Sequence, residues 1–261
     1  MENIMLKVNF DKIKKKYDEN GWVLVKNLLK NKDIKYINKK IDFFLKKNIN
    51  LYKGRNINFI NDGQKNIKDL DNINSFHQIS DLKIIRKTSK NKNIRNIVKK
   101  LINSNPSYMV SELFAKPAKK GLLSPMHQDN YYWCIRGGNA LTIWLALDKV
   151  SSKNGGIKYL NKTHKLGVVK HTPSYAKGSS QKIFNLKKYS KYKKICPILN
   201  PGDAIFHHCE IIHGSSENTS GKRRRGLTFQ FKDINSKFDN KMKKKYLLSL
   251  KKQIRKRKEK N

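Results

Sequence analysis

The sequence predicts one domain of mainly β structure with flanking α-helices. Two stretches with apolar residues at helical spacing occupy the first part of the chain, and short alternating segments separated by turn residues follow from Tyr108 onward. The chain has 261 residues, 37% of them hydrophobic, which suffices for one core. We therefore expect a single domain over residues 1–261, with a helix-rich part at 1–107, a β core at 108–235 and a basic tail at 236–261.

The two predicted helices each have their apolar residues on one face, which we expect to cover a sheet. The apolar positions are Ile34, Ile37, Ile41, Phe44 and Leu45 in the first helix, and Ile94, Ile97, Val98, Leu101 and Ile102 in the second. Between them, Lys46 to Phe76 is rich in Asn, Lys and Asp and contains the turn sequence Asn61-Asp62-Gly63. This composition predicts a long irregular connection.

A His-x-Asp triplet at His127 and Asp129 is the first candidate for chemistry. It follows a Gly/Lys-rich connection at 119–122, and alternation along a strand would place both side chains on one face. Both could then bind one metal ion. The alternative is a surface His–Asp pair that shares a hydrogen bond, because a chain with 7 His can contain such a triplet by chance.

Two further polar residues follow on predicted strands that are joined by a Gly/Ser/Asn loop. Pro201-Gly202-Asp203 predicts a turn into an apolar run, His213 closes that segment, and Arg224 begins the next strand. An arginine on an inward face needs an anion, and its planar guanidinium binds a carboxylate through two parallel hydrogen bonds. Arg224 is therefore a candidate for binding a dicarboxylate. A solvated basic turn at Arg223-Arg224-Arg225 is the alternative.

Two imidazoles and one carboxylate leave open positions on a metal for a co-substrate and for O₂. Non-haem Fe(II) oxygenases use this ligand set, although zinc accepts the same side chains. His127, Asp129 and His213 thus predict a mononuclear iron site.

Four segments, in the same order, resemble the phytanoyl-CoA dioxygenase family of Fe(II)/2-oxoglutarate oxygenases, which includes ectoine hydroxylase. They span most of the chain, and the first two are a Gly before an apolar strand in Tyr17 to Val25 and the triplet His127-Gln128-Asp129. The third, Thr142 to Lys165, contains a Trp-bearing strand, an Asn-Gly turn and a Thr-His-Lys segment. The fourth is Pro201-Gly202-Asp203 followed by His213-Gly214-Ser215 and Arg224, with eleven residues from His to Arg.

The resemblance implies a double-stranded β-helix, the jelly-roll or cupin-like type of barrel, with the metal site in its mouth. It implies that His127, Asp129 and His213 bind iron, that Arg224 binds the distal carboxylate of 2-oxoglutarate, and that Ser215 and Trp144 line the co-substrate site. An ordinary core aromatic is the alternative for Trp144, and a hydrogen bond within its own turn is the alternative for Ser215.

The implied activity is hydroxylation of a small metabolite, with 2-oxoglutarate and O₂ as co-substrates and succinate and CO₂ as products. Halogenating relatives keep the carboxylate position small so that halide can bind, whereas this chain has Asp129. Two other function classes stay open. One is a metal-binding barrel without turnover, and the other is a basic protein that binds nucleic acid or a membrane surface.

The formal charge of +40 is consistent with an anionic partner. However, 50 of the 59 basic residues are Lys, spread through every segment of a chain that is also rich in Asn and Ile, which indicates a compositional bias. The sequence has no stacking-aromatic or groove-reading motif, so we do not expect nucleic acid as the partner. The charge makes an anionic small molecule a candidate substrate.

We expect a cytoplasmic protein without a membrane span. The sequence has no apolar run of the ~18 residues that a span needs. Residues 1–16 lack the apolar core of a signal peptide, and Cys134, Cys196 and Cys209 form no CxxC pair. The Lys-rich tail from Lys241 to Asn261 predicts a short basic helix, packed on the body, resting on an anionic surface, or solvated.

Overall fold

The computed structural model of the chain describes residues 9–52, 57–60, 70–77, 79–176 and 179–258. The α-helices are α1 (Phe10–Asn20), α2 (Asn31–Tyr52), α3 (Lys83–Ser89), α4 (Lys92–Ile102), α5 (Asn130–Trp133) and α6 (Asn240–Lys258). The strands are β1 (Trp22–Val25), β2 (Ile57–Phe59), β3 (Ile73–Phe76), β4 (Pro106–Lys116), β5 (Ser124–His127), β6 (Ala140–Ala146), β7 (Ile157–Leu160), β8 (His171–Pro173), β9 (Gln181–Ile183), β10 (Lys194–Ile195), β11 (Ala204–His208), β12 (His213–Ser215) and β13 (Arg224–Asp233).

Two antiparallel sheets form the body of the fold. The larger sheet has the order β1-β11-β6-β13-β4-β3-β2, and the smaller one has the order β10-β7-β12-β5. Strands β8 and β9 form a separate two-stranded ribbon. Apart from the consecutive strands β2, β3 and β4 at one edge, neighbouring strands in both sheets are not consecutive in the chain, as in a jelly roll. The predicted fold class, mainly β with flanking helices and a double-stranded β-helix at its centre, is confirmed.

Helices α2 and α4 cover one face of the large sheet with the apolar residues that their periodicity predicts. Ile34, Ile37 and Ile41 of α2 are buried in the same cluster as Ile97 of α4 and Phe229 of β13. The helices at these two positions are therefore confirmed.

The segment after Lys46 is more regular than its composition predicts. Helix α2 continues to Tyr52, because Ile49 lies one turn after Leu45 and extends the buried face. Strand β3 then pairs with β4, and β2 pairs with β3 to form the edge of the large sheet. The expectation of an irregular connection is wrong at these positions, and the turn at Asn61-Asp62-Gly63 lies outside the described residues.

The other face of the large sheet is directed towards the small sheet. Strand β6 illustrates the division, since Ile143 belongs to the cluster under the helices while Trp144 belongs to a second cluster with Tyr159 of β7. Alternation along β6 places Thr142 on the same face as Trp144. The space between the sheets is thus lined by alternate residues of β6, β11 and β13.

Two segments that share the family resemblance meet at the start of the fold. Gly21 ends α1 with φ +81°, a conformation that favours glycine, and a Cβ there would lie 2.5 Å from the His164 ring. Nε2 of His164 donates to the Asp18 carbonyl at 3.1 Å. His164 is thus a structural group that joins the 163–166 turn to α1.

The basic tail folds as α6 and packs on the body. The Tyr246 ring lies 6.0 Å from the ring of Tyr131 and 5.7 Å from the ring of Tyr132, and Ser249 Oγ donates to Gln181 Oε1 at 2.7 Å. Of the three arrangements that the sequence left open for the tail, the first is the one observed.

The sequence predicted no membrane span and no CxxC pair among the three cysteines, and the structure bears on both points. No helix within the described ranges is both long and apolar enough to cross a bilayer. Cys134, Cys196 and Cys209 all carry free thiols.

We predict that Phe229→Ala lowers the free energy of unfolding by about 3–5 kcal/mol, because the ring is fully buried in the cluster between helices and sheet. Phe43→Ala is the control, since that ring is 67% exposed and its loss changes stability by only about 0.5 kcal/mol. Urea unfolding of both variants tests this difference. Similar midpoints for the two would contradict the assigned core.

Candidate active site

His127, Asp129 and His213 converge between the two sheets. His127 ends β5 and His213 begins β12, and the two residues are direct cross-strand partners. Nε2 of His127 lies 3.7 Å from Asp129 Oδ1, and Nε2 of His213 lies 3.6 Å from the same oxygen. One ligand atom from each of the three side chains lies within 4.8 Å of the other two. A single metal ion can therefore contact all three.

The backbone at Asp129 differs from the sequence-based expectation. Strand β5 ends at His127, and Asp129 has helical torsion angles, φ −59° and ψ −40°, immediately before α5. The prediction that strand alternation places both side chains on one face is therefore wrong, because the chain turns between them.

Gln128 stabilises this turn from inside the protein. Its side chain is buried, Nε2 donates to the carbonyls of Gly167 and Glu210 at 2.8 and 2.6 Å, and Oε1 accepts from the Val169 amide at 2.8 Å. These three bonds use both N–H donors of the amide and one lone pair of its oxygen. Gln128 thus orients the metal-facing side chains on either side of it.

Both ligand histidines are oriented by backbone carbonyls. Nδ1 of His127 donates to the Pro125 carbonyl at 2.7 Å, and Nδ1 of His213 donates to the Ile211 carbonyl at 3.0 Å. A carbonyl only accepts, so each Nδ1 carries the proton and each Nε2 has its lone pair free for a metal.

Asp129 is held by two side chains of the large sheet. Thr142 Oγ1 donates to Oδ2 at 2.7 Å, and His207 Nε2 donates to the same oxygen at 3.2 Å. Tyr159 donates its hydroxyl proton to Nδ1 of His207 at 3.0 Å. Both bonds to Asp129 involve Oδ2, which leaves Oδ1 directed at the two ligand imidazoles.

His207 also faces the site, although the sequence analysis did not single it out. The register of β11 against β6 decides this point, because His207 lies directly opposite Thr142 and both residues face the site. His208 follows on the opposite face.

Burial and neighbouring charges set the protonation states that a metal needs. Burial and the adjacent His213 lower the pKa of His127 to about 4, and burial lowers the pKa of His213 to about 4 against the opposing effect of Asp129. Burial alone would raise the pKa of Asp129, but His213, His207 and His127 together hold it well below its usual range. At neutral pH the imidazoles are neutral and the carboxylate is ionised, as metal binding requires.

A cavity of about 770 Å³ extends from these ligands, and its walls contain all six residues that were predicted for the site. One part of its lining contains Arg224, Trp144, Ser215 and Lys116. Four segments form much of the remainder of the wall. They are β4 with Glu112 and Phe114, α5 with Tyr132 and Trp133, the 179–180 segment with its two serines, and α6 with Tyr246 and Leu250.

Arg224 is buried in the cavity wall with part of its hydrogen-bonding capacity unused. Only 1% of the residue is exposed, and Nη2 donates to the Gly155 carbonyl at 2.8 Å. Nε and Nη1 are buried without a hydrogen-bond partner. Unpaired N–H groups on a buried cation are costly, and a carboxylate would satisfy them. The alternative of a solvated turn is therefore wrong for Arg224.

The neighbouring arginines behave differently. Arg225 is buried on the outer face, where Nη1 contacts Asp42 Oδ1 at 2.6 Å. The side chain of Arg223 is 47% exposed, and its Nε lies 3.8 Å from Oδ2 of Asp148. A solvated basic position describes Arg223 alone.

Trp144 and Ser215 lie in the wall beside Arg224. The Trp144 ring lies 5.3 Å from the guanidinium carbon of Arg224 and packs against the backbone of Gly226, where a Cβ would approach the ring to 1.8 Å. Ser215 is buried on β12 and pairs with Ile157. The structure thus brings together all six residues predicted for the site.

Two other polar groups in the cavity were missed by sequence reasoning. Lys116 is only 4% exposed, and burial together with Arg224 lowers its pKa to about 6. His77 donates from Nδ1 to Glu112 Oε1 at 2.5 Å, while Gln230 donates to Oε2 at 2.7 Å. Burial opposes the change, but the hydrogen bond and charge of Glu112 raise the pKa of His77. No local pattern distinguishes Lys116 in a chain with 50 Lys, and His77 lies next to the segment interpreted as irregular.

The fold and the site together define a class of protein, the non-haem iron oxygenases built on a double-stranded β-helix. The family model for phytanoyl-CoA dioxygenase (PhyH) matches residues 17–226. The chain therefore belongs to the phytanoyl-CoA dioxygenase family and is an Fe(II)- and 2-oxoglutarate-dependent dioxygenase.

Relatives with curated functions support this assignment at low identity. The peroxisomal phytanoyl-CoA dioxygenase of Bos taurus is 26% identical over 232 residues, which cover 85% of this chain and 68% of the relative. The L-proline trans-4-hydroxylase of Streptomyces griseoviridis is 22% identical over 234 residues, which cover 81% of this chain and 82% of the relative.

Solved structures show the same fold. EctD from S. alaskensis, crystallised with 2-oxoglutarate and 5-hydroxyectoine, superposes with a TM-score of 0.71 at 15% identity and covers 87% of this chain and 77% of its own. The carbocyclase SnoK from nogalamycin biosynthesis superposes with a TM-score of 0.70 at 18% identity and covers 87% and 85%.

We predict that Gly226→Ala lowers the free energy of unfolding by about 1–3 kcal/mol, because the new methyl group overlaps the Trp144 ring. Gly221→Ala is the matched control, since a Cβ there meets nothing within 4 Å. Urea unfolding and near-ultraviolet circular dichroism test this pair. Wild-type stability in Gly226→Ala would show that the ring is not held against β13.

Proposed function

We propose that the chain hydroxylates a small-molecule substrate with Fe(II), 2-oxoglutarate and O₂, releasing succinate and CO₂. The observation that carries this proposal is a His127–Asp129–His213 cluster, partly buried between the sheets, that shares one cavity with the unpartnered N–H groups of Arg224. The first feature fits a divalent metal, and the second fits a carboxylate.

In this proposal His127, Asp129 and His213 bind the iron. When bound, the metal supplies the redox chemistry that couples O₂ and 2-oxoglutarate to oxidation of the substrate. Thr142 and His207 keep Asp129 Oδ2 occupied, so that Oδ1 stays directed at the metal position. The carbonyls of Pro125 and Ile211 keep Nε2 of each histidine deprotonated and correctly oriented.

Arg224 binds the distal carboxylate of 2-oxoglutarate in this proposal. Its free Nε and Nη1 groups provide the donors, and burial away from water strengthens the contact. Trp144 limits the movement of the guanidinium, and Ser215 contributes a hydroxyl to the same wall.

The substrate would occupy the part of the cavity lined by aromatic residues. Tyr132, Trp133 and Tyr246 contribute rings, and Glu112 is already paired with His77 and Gln230. An anionic group of the substrate, which the charge of the chain favours, would lie near α6, because that helix carries Lys and Arg but no Asp or Glu. We propose a small, partly apolar substrate whose anionic group stays at the mouth.

The complete set of metal-binding side chains argues against a barrel without turnover. Their convergence between the sheets argues against a basic surface protein in which His and Asp are incidental. We also propose a cytoplasmic location, supported by three free thiols. Two relatives, from Bos taurus and Homo sapiens, are named as peroxisomal proteins, so the alternative to a cytoplasmic location is the peroxisome.

We predict that the anaerobic protein with Fe(II) and 2-oxoglutarate gives a weak visible charge-transfer band, and that His127→Ala abolishes it because one iron ligand is lost. His164→Ala is the control, since that ring contacts α1 outside the cavity. Succinate released on adding O₂ provides a second measurement. A folded, iron-loaded protein with neither band nor succinate would contradict the proposal.

We predict that Arg224→Met raises the dissociation constant for 2-oxoglutarate by about 10- to 100-fold, as expected for loss of charged hydrogen bonds. Arg223→Met removes an exposed neighbouring charge and should leave the constant nearly unchanged. Titration of the charge-transfer band measures both. Equal affinities in the two variants would refute the assignment of Arg224.

A further inference from the structure

The final helix, α6, is attached to the body along one face. Tyr246 and Ser249 make the contacts to α5 and β9 described above. Gln253 is buried on the same face, where Oε1 accepts from the Tyr175 amide at 3.1 Å and Nε2 donates to the Ser179 carbonyl at 3.4 Å. The rest of the helix surface is therefore available for other contacts.

Three large apolar side chains of α6 lie outside this contact face. Leu247, Leu248 and Ile254 are between 45% and 53% exposed. Helical spacing places Leu250 next to both Leu247 and Ile254, and Leu250 lines the active-site cavity. The apolar surface of α6 therefore continues from the cavity wall to the outside of the protein.

The same helix carries only positive charge. Its 19 residues include ten Lys and Arg and no Asp or Glu. Lys244, Lys251 and Arg255 are exposed on the side opposite the contact face, and Leu248 lies among them. The exposed face of α6 thus combines cations with aliphatic side chains.

Tyr175 adds an aromatic ring at the edge of this face. The residue is about half exposed, and Lys256 Nζ lies 4.6 Å from the centre of its ring. Tyrosine suits a boundary between water and an apolar phase, because its ring is apolar and its hydroxyl is polar. The segment after β8 therefore extends the face beyond the helix.

The lysine content of the whole chain does not by itself produce such a face. Helix α2 is of similar length and also has exposed lysines and two exposed rings, those of Tyr36 and Phe43. However, α2 contains Asp33 and Asp42, and none of the described residues that line the active-site cavity belongs to it. Helix α2 is thus an internal reference for a lysine-rich helix without this combination.

We propose that the exposed face of α6 docks the protein on an anionic lipid surface. The Lys and Arg side chains would contact the charged headgroups, while Leu247, Leu248 and Ile254 would enter the apolar layer beneath them. Nucleic acid also offers phosphates, but contacts with its backbone gain nothing from exposed aliphatic side chains. Docking in this orientation places the cavity wall at Leu250 beside the lipid. The inference goes beyond the proposed function and does not depend on turnover.

The test measures sedimentation of the full chain with large vesicles of phosphatidylcholine, alone or mixed with phosphatidylglycerol, in the absence of iron and 2-oxoglutarate. Two charge variants remove the same formal charge from exposed positions of α6 and of α2. They are Lys244→Gln, Lys251→Gln and Arg255→Gln combined in α6, and Lys35→Gln, Lys39→Gln and Lys46→Gln combined in α2.

Two apolar variants separate insertion into lipid from simple charge attraction. Leu247→Ser combined with Leu248→Ser changes α6, and Tyr36→Ser combined with Phe43→Ser is the matched change in α2. All four side chains are exposed, so we expect both variants to fold, and thermal unfolding checks this. If the α6 double variant unfolds, Leu248→Ser alone takes its place.

We expect the wild-type protein to bind the mixed vesicles and not phosphatidylcholine alone. The α6 charge variant should bind roughly 100-fold more weakly, because each basic residue near an anionic membrane contributes about fivefold. The α6 apolar variant should bind about 10-fold more weakly, because inserted methylene groups are lost. Both α2 variants should stay close to the wild type, since salt screens charges held away from the lipid.

Equal losses in the α2 and α6 charge variants would overturn the proposal, because the charge of the whole chain would then account for the binding. Wild-type binding in the α6 apolar variant would reject insertion and overturn it as well. Absence of vesicle binding, with tight binding of a fluorescent oligonucleotide that depends on the α6 cations, would assign the face to nucleic acid instead. Succinate formation is measured separately, so none of these outcomes bears on the proposed function.

Discussion

The rest of the site depends on the contact between the ionised carboxylate of Asp129 and the three imidazoles that surround it, those of His127, His207 and His213. A charge in this position is stable only if groups of opposite or complementary character surround it. The small sheet supplies His127 and His213, and the large sheet supplies Thr142 and His207. Because Nε2 of His127 and of His213 presents a lone pair towards Oδ1, a metal ion held by these three side chains would link the two sheets, and the spacing between the sheets would be a property of the metal site as well as of the core.

The cavity has two chemical regimes along its wall. Around Arg224 and Lys116 the wall consists of buried basic side chains, and Nε and Nη1 of Arg224 have no hydrogen-bond partner, while around Tyr132 and Tyr246 the wall is aromatic with a paired acid at Glu112. This separation fits a reaction in which one charged co-substrate and one less polar substrate approach the same metal. The charge of the whole chain is a poor guide to the site, because most lysines among the described residues are exposed, whereas Lys116 and Arg224 are buried in the cavity wall.

Local patterns in the sequence predicted the two helices, the β core and the candidates His127, Asp129, His213 and Arg224, whereas Trp144 and Ser215 were predicted from the family resemblance. Residue types, spacing and order carry that information. Asp129 was placed correctly but for the wrong reason, because the turn depends on hydrogen bonds from Gln128 to residues 39 to 82 positions away. His207 and Lys116 were missed for a similar reason. Their importance comes from strand register, which pairs them with Thr142 and Arg224 and is not visible in either segment alone.

Helix α6 supplies Tyr246 and Leu250 to the cavity, whereas the predicted metal ligands and Arg224 lie on strands or on the turn after β5. Substitutions in α6 can therefore reshape the substrate region without altering the backbone that holds the chemistry. Such a division lets substrate preference diverge between related proteins while the oxidation step stays the same. On this view the evolutionary flexibility of the chain resides in its lysine-rich final helix.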